Sequence, residues 1–297
     1  MDTLAQLHSG KLSGITRLDL SCALTTFPKE IFQLADTLEI LNLSGNQLSA
    51  LPDDLPRLHK LRVIFCSDNL FTDVPEVLGR CANLSMVGFK ANRIQRFAAA
   101  AIPPLLRWLI LTDNQLTEVP RELGRCAQLQ KLMLAGNQLQ TLPEELAACT
   151  NLELLRLSAN QFTALPEWLT TLPRLAWLAC AGNPFSDAHE AAVLDDLDIP
   201  CINWHELELQ QQLGEGASGI IHQAVWRREN KVSPVAVKLF KGALTSDGLP
   251  RSEKAACLSF GEHPRLLGAT GKISAHPAEK IGLVMPLIDA GFKNLAG

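Results

Sequence analysis

No run of about 18 apolar residues occurs in the 297 residues, so no segment reads as a membrane span. The opening, MDTLAQLHSGKLSG, has neither a basic start nor an apolar stretch and does not read as a secretory signal. The expectation is a cytoplasmic chain. Basic residues number 27 and acidic residues 31, a net charge of −4, and no basic block stands out. Neither nucleic acid nor a membrane surface is expected as a partner. There is no Cys-x-x-Cys pair and the seven histidines are scattered, so no metal site is expected. Low-complexity tracts are missing too. With 47% hydrophobic residues the chain has the material for one large or two modest cores.

What is present is a period. LEILNLSGNQLSALPDDL (38–55) and LELLRLSANQFTALPEWL (152–169) share the frame L-x-x-L-x-L-x-x-N-x-L-x-x-L-P-x-x-L. Its asparagines fall at Asn46, Asn69, Asn92, Asn114, Asn137, Asn160 and Asn183, in steps of 23, 23, 22, 23, 23 and 23. An earlier unit, ITRLDLSCALTTFP, keeps the leucines but is one residue short, with Cys22 or Ala23 where the asparagine belongs. One unit cannot bury its apolar positions alone, and stacked units can. The x-x-L-x-L piece alternates as a short strand does. The asparagines are expected to run as a ladder at the turns, a structural role.

On these residues the chain, from 15 to 185, resembles the leucine-rich-repeat family: an α/β solenoid of about eight short parallel strands. Residues 1–14 are expected to form an N-terminal cap, a short helix with Gly10 near its end. SDAHEAAVL (186–194) is expected to be a capping helix, with 186–206 as cap and linker; DIPCINWHELE (198–208) reads as the linker itself. Cys66, Cys81, Cys126, Cys149 and Cys180 stand in leucine slots and read as core fillers, with no disulfide.

The third and fifth residues of each unit point away from the core. They place Ile40, Val63, Phe65, Met86, Trp108, Ile110, Met133, Leu154 and Trp177 along one expected exposed face. An apolar stripe of that extent reads as a protein-binding surface.

The last third begins LGEGASGIIHQAV (213–225), with glycines at G-x-G-x-x-G. A dinucleotide-binding fingerprint needs a helix at once after the loop. Here IIHQAVW follows, a β-branched run, and after RRENKVSP, read as a hairpin turn, comes the strand VAVKLFK (235–241). L-G-x-G-x-x-G-x-I followed by V-A-V-K resembles the small lobe of a protein kinase, an antiparallel sheet plus one helix, over residues 207–297.

The resemblance implies roles. Gly214, Gly216 and Gly219 let the backbone close over the phosphates of ATP, Leu213 belongs to the same ATP site, and Ile221 and Ala236 pack on adenine. Lys238 pairs with the α- and β-phosphates, and Glu253 in the following helix pairs with Lys238. IGLVMPLI (281–288) stands for the fifth strand and hinge, with Met285 beside adenine and Pro286, Leu287 and Ile288 supplying hinge backbone.

A kinase also needs H-R-D-x-x-x-x-N for its base and D-F-G for magnesium, and neither string occurs. No catalytic residue and no magnesium ligand is named. The expectation is a leucine-rich-repeat protein kinase of bacterial, serine/threonine type, cut short after its small lobe, inactive alone, with a protein as partner and as substrate. The alternative is a non-catalytic binding scaffold with a vestigial lobe.

Overall fold

A computed structural model of the protein describes residues 3–187, 200–216, 218–228, 231–241, 248–259 and 268–288. The chain divides into two compact units, Met1–Phe185 and Ser186–Gly297.

The first unit opens with α1, Thr3–His8. Leu7 on this helix is buried. Gly10 has φ +68°, and Lys11 N–H bonds the Gln6 carbonyl while Gly10 N–H bonds that of Leu7. This left-handed cap closes the helix at the residue best able to adopt it.

Eight three-residue strands follow: β1 (Arg17–Asp19), β2 (Ile40–Asn42), β3 (Val63–Phe65), β4 (Met86–Gly88), β5 (Trp108–Ile110), β6 (Lys131–Met133), β7 (Leu154–Arg156) and β8 (Trp177–Ala179). They form one parallel sheet in chain order, with equivalent positions of successive repeats paired, as in Val63 with Met86 and Met86 with Trp108.

The middle residue of the first seven strands points inward, and Leu18, Leu41, Ile64, Val87, Leu109, Leu132 and Leu155 are buried in one continuous core, whereas Leu178 in the last strand is exposed. Each such side chain is worth roughly 1.5–3 kcal/mol. Phe71, Phe89 and Phe162 fill its wider places. On the far side, short 3-10 turns return the chain. Pro28, Pro75, Pro120, Pro143 and Pro166 each precede one, with φ between −59° and −68°. A proline there has its φ preset and no N–H to lose, and its carbonyl accepts the first turn bond, as from Leu123 to Pro120 at 3.0 Å.

The asparagines make the expected ladder. Asn137 Nδ2 donates to the carbonyls of Leu111 (2.9 Å) in the preceding coil and Leu134 (2.9 Å) in its own, and its Oδ1 accepts from Leu116 N–H (3.0 Å). In the shortened first unit the N–H groups of Cys22 and Leu24 both reach Asn46 Oδ1. Cys66, Cys81, Cys126 and Cys149 are buried and Cys180 half-buried, all as free thiols. Burial pushes the thiols of Cys81, Cys126 and Cys149 up to about 11 and that of Cys66 further. None is set up as a nucleophile.

The second unit is a six-stranded sheet in the order β10-β11-β12-β14-β13-β9. Its strands are β9 (Cys201–Asn203), β10 (Leu207–Glu215), β11 (Gly219–Arg228), β12 (Lys231–Phe240), β13 (Gly271–Ser274) and β14 (Gly282–Pro286). One helix, α2 (Pro250–Ser259), is described.

Two expectations are corrected here. The segment expected as a linker holds β9, which pairs parallel with β13 and buries Ile202, so the sheet is mixed and not purely antiparallel. The stretch expected as a hairpin turn is mostly strand: Arg228 pairs with Lys231 and Val225 with Pro234. Pro234 is tolerated because β14 pairs with β12 only from Val235 onward, so no ladder partner needs its missing N–H on that side. Of the capping helix expected at 186–194, residues 188–194 lie outside the described residues.

Replacing Asn137 with alanine strands the buried Leu116 N–H and Leu111 carbonyl. The expected loss is about 2–4 kcal/mol, read as a lower urea midpoint for the repeat unit. A change below about 0.5 kcal/mol would mean the ladder is not what clamps the coils.

Candidate functional site

Two surfaces carry the residues singled out by the sequence, one on each unit. On the repeats, the strand face presents Ile40, Val63, Phe65, Met86, Trp108, Ile110, Met133, Leu154 and Trp177 in consecutive rows. Their exposure differs from the expectation. All but Trp177 are half-buried, because side chains on parallel strands about 4.8 Å apart shade their neighbours. Trp177, in the last row, is 53% exposed.

Phe65 lies across the next repeat: a Cβ at Gly88 would meet its ring at 2.6 Å, so Gly88 makes room for that ring. Two cations lie down on the stripe. Lys131 Nζ sits 3.8 Å from the centre of the Trp108 ring, and Arg156 Nη1 is 3.7 Å from Met133 Sδ. The N-terminal end is polar: Arg17 donates to Asp19 at 2.7 Å and holds its carboxyl below the usual range, and Asn42 Nδ2 adds a bond at 2.9 Å. The face is therefore an apolar centre with an ion pair at one end and cations toward the other.

On the second unit, strand register sorts the side chains. Lys238 lies opposite Ile221 on β11 and Leu283 on β14, and Ala236 lies opposite Met285. Directly paired residues share a face, so Ile221, Ala236, Lys238 and Met285 stand on one side of the sheet. The opposite side buries Ala224, Trp226, Val235, Val237, Leu239 and Val284 as the unit's main core. Ala236 and Met285 are buried, Ile221 and Leu287 half-buried, and Leu213, Pro286 and Ile288 exposed.

Helix α2 brings Glu253 to Lys238, and the two form an ion pair with side chains 14% (Lys238) and 32% (Glu253) exposed. Pro250, a helix breaker in most settings, occupies the first position of α2, where a proline costs nothing. Lys238 Nζ also lies 5.1 Å from the centre of the Phe240 ring.

The glycines divide by role. A Cβ at Gly219 would come within 2.6 Å of the Leu239 carbonyl oxygen, so this glycine is required by the approach of β12. At Gly214 and Gly216 an added Cβ meets nothing within 4 Å. Packing among the described residues does not account for those two.

Sequence reading misses the clamp on this loop. Lys241 pairs with Glu215 and bonds the Gly216 carbonyl at 3.3 Å, tying the end of β12 to the glycine turn. That bond to Lys241 is the main reason the Glu215 carboxyl sits below its usual range. The signal is a lysine three residues beyond Lys238 in VKLFK, legible only with the hairpin register known. Sequence reading also misses Cys257, which lies beside Glu253 and Lys238 and packs on Phe240 and Leu283; burial raises its thiol.

Among the described residues, no group of three or more His, Cys, Asp or Glu is placed to hold a metal, and no helix is long and apolar enough to cross a membrane.

Residues 37–58, 104–162 and 127–185 match models of the leucine-rich repeat, so leucine-rich repeats are present. A probable inactive serine/threonine-protein kinase, roco10 of Dictyostelium discoideum, is 39% identical over 99 residues, 31% of this chain and 4% of that protein. A PHLPP-like protein phosphatase of Drosophila melanogaster is 39% identical over 67 residues, 23% of this chain and 7% of that one. The chain thus spans a small part of these relatives, whose named activities differ from each other. A chain in the Toll–Spatzle complex of Drosophila superposes with a TM-score of 0.51 at 26% identity, covering 59% of this chain and 24% of that one.

The glycine geometry yields a stability test. Gly219→Ala drives a Cβ into backbone and lowers the melting temperature of the second unit, whereas Gly214→Ala and Gly216→Ala leave it nearly unchanged. Equal losses at all three, by calorimetry, would contradict the division of roles.

Proposed function

We propose that the strand face of the repeats captures a protein partner and that the second unit holds ATP against Lys238, in the manner of a protein-kinase small lobe. The observation that carries the first half is the apolar stripe from Val63 to Met133, half-buried, with Lys131 lying on it and charge at its ends. An interface of that make-up gains from burying aromatic and methionine side chains, while the flanking charges set register.

The nucleotide half is supported by three features of one sheet. Gly214 and Gly216 have open space where a Cβ would project, Lys238 is a largely buried cation held in place by Glu253, and Ala236 and Met285 give an apolar floor beside it. In this reading the backbone of the glycine turn approaches the phosphates, Lys238 offsets their charge, and Glu253 fixes where the amine points. The Lys241–Glu215 pair holds the turn closed. Magnesium accompanies ATP in kinases; no ligand for it is assigned to this chain. Relatives named as kinases agree with repeats of this kind being joined to a kinase domain.

Phosphoryl transfer needs a base and metal ligands that H-R-D and D-F-G strings supply in that family, and these 297 residues hold neither. The function proposed for them is therefore recognition and nucleotide holding. That same observation favours the second reading, a protein-binding scaffold whose lobe takes no nucleotide. A titration separates the two.

Two experiments test the proposal. Trp108→Lys and Met133→Arg borrow the residues that the following repeat carries in the same slots, Lys131 and Arg156, so the fold tolerates them. A partner captured from cell extract and then purified is expected to bind each variant at least about tenfold more weakly by calorimetry; unchanged affinity would remove the stripe from the interface. In the purified chain, a fluorescent ATP analogue is expected to bind and to be displaced by ATP, with Lys238→Met weakening it about tenfold or more. Binding that ignores this substitution, or no binding at all, would leave the scaffold reading standing.

A further inference from the structure

One repeat departs from the frame, and it does so beside a charged groove. The step from Asn92 to Asn114 is 22 residues, and this unit carries AAAAIPPLLRW where its neighbours carry a longer turn. The residue just before the first frame leucine is Thr37, Lys60, Asn83, Gln128, Asn151 and Arg174 in the other repeats, all polar, but Leu105 here. Three of these side chains hydrogen-bond backward from the slot. Thr37 Oγ1 donates to the Ile15 carbonyl, Asn83 Nδ2 to that of His59 and Asn151 Nδ2 to that of Ala127, each at 2.8 Å into the preceding coil. Leu105 makes no such bond and is 40% exposed. Nothing in the folding of the solenoid asks for it.

Leu105 lines a groove of about 360 Å³ along the flank of β2 to β6, one row outside the apolar stripe. Lys60, Arg62 and Arg107 line it too, against a single carboxylate, Glu39. Arg62 is satisfied by Glu39 at 3.4 Å. Arg107 donates to the neutral Gln130 Oε1 at 2.9 Å, and among the described residues neither it nor Lys60 has a carboxylate partner. Asn83, Ser85 and Gln128 complete the lining with neutral polar groups. The groove is thus cationic with one apolar residue in its lining.

We propose that this groove is a second docking site, distinct from the strand face, and that its occupant is an acidic segment of a protein partner carrying one apolar anchor residue. Carboxylates of the segment pair with Lys60 and Arg107, and the anchor covers Leu105. Charge complementarity selects the segment and sets its direction, and the buried apolar contact supplies what exposed ion pairs alone do not. A polyanion without side chains of that kind, such as RNA, meets the cations but not the leucine.

The test uses the full chain and fluorescein-labelled eight-residue peptides read by anisotropy. One is glutamate-rich with a central leucine, a second has serine in place of that leucine, and a third has glutamine in place of the glutamates. The first is expected to bind in the micromolar range and the other two about tenfold more weakly. Leu105→Gln and Arg107→Gln take the residues of the following repeat in the same slots, Gln128 and Gln130, and each is expected to weaken the first peptide about tenfold. Should Leu105→Gln disturb folding, Leu105→Asn replaces it, taking the residue that the preceding repeat carries in this slot, Asn83. Met133→Arg on the strand face is expected to leave peptide binding unchanged, so this site stands or falls apart from the stripe. The proposal is overturned if leucine and serine peptides bind alike, if the Leu105 variants bind as the parent does, if single-stranded RNA displaces the peptide more tightly than the peptide binds itself, or if none of the peptides binds.

Discussion

A single bonded arrangement sets the geometry of the repeats: one asparagine amide spanning two coils. A coil of this length cannot enclose its own leucines, so each depends on the next for burial. The amide fixes how the next one arrives, by donating to a carbonyl in the coil behind it and accepting an N–H there. With the turns locked, the strands are brought into unstaggered register, and equivalent residues of successive repeats become neighbours. The outer face follows from this without further design. Whatever stands at the third and fifth positions forms a row, so a row of apolar residues becomes a stripe and a lone lysine lies down on the tryptophan beside it.

The second unit works by a different constraint, the alternation of long antiparallel strands. Val235, Val237 and Leu239 face one way into the core, while Ala236, Lys238 and Phe240 face the other. A charged residue can sit in the middle of a central strand because the residues on either side of it carry the burial. The lysine is then held by the α2 carboxylate, which arrives from elsewhere in the chain, and by the Phe240 ring two residues along its own strand. Its direction is set by the fold before any ligand is considered.

Much of the first unit is legible in sequence because its signal is a period in identity, and seven asparagines in near-constant register leave little freedom. How deeply the outward residues sit is not legible, since that depends on the side chain one coil away, 23 positions off in sequence. The left-handed residues before the asparagines show the same limit. Gly45 and Gly136 announce positive φ, but Asp68, Ala91, Asp113 and Ala159 adopt it under the pull of the ladder. In the second unit, β9 reads as linker because three residues pairing parallel with a strand some 70 positions later carry no local pattern. RRENKVSP reads as turn because Ser-Pro looks like one. The pairing of Val225 with Pro234 is decided by which neighbour strand stops short. The Lys238–Glu253 contact is foreseeable only through a family likeness; spacing alone does not specify it.

A repeat chain offers a way to separate what folding requires from what it does not. Each slot is occupied several times over, so the chain supplies its own controls. Leucines in the core slots and asparagines at the turns recur because every coil needs them. Residues that break the pattern without repairing anything are set by something other than the core. Gly88 breaks it and is explained, since the Phe65 ring lies over it. The cysteines in leucine slots are explained as well, being small, buried and apolar in effect. Leu105 is not explained in this way: it lacks the bond that Thr37, Asn83 and Asn151 make from the same slot and exposes apolar surface next to two cations with no carboxylate partner among the described residues. The glycine turn of the second unit supports the same reasoning within a single loop, where Gly219 is demanded by a neighbouring carbonyl and Gly214 and Gly216 are not. The two places differ in charge: beside Leu105 the cations Lys60 and Arg107 have no carboxylate among the described residues, whereas at the glycine turn Lys238 and Lys241 are each paired with a glutamate.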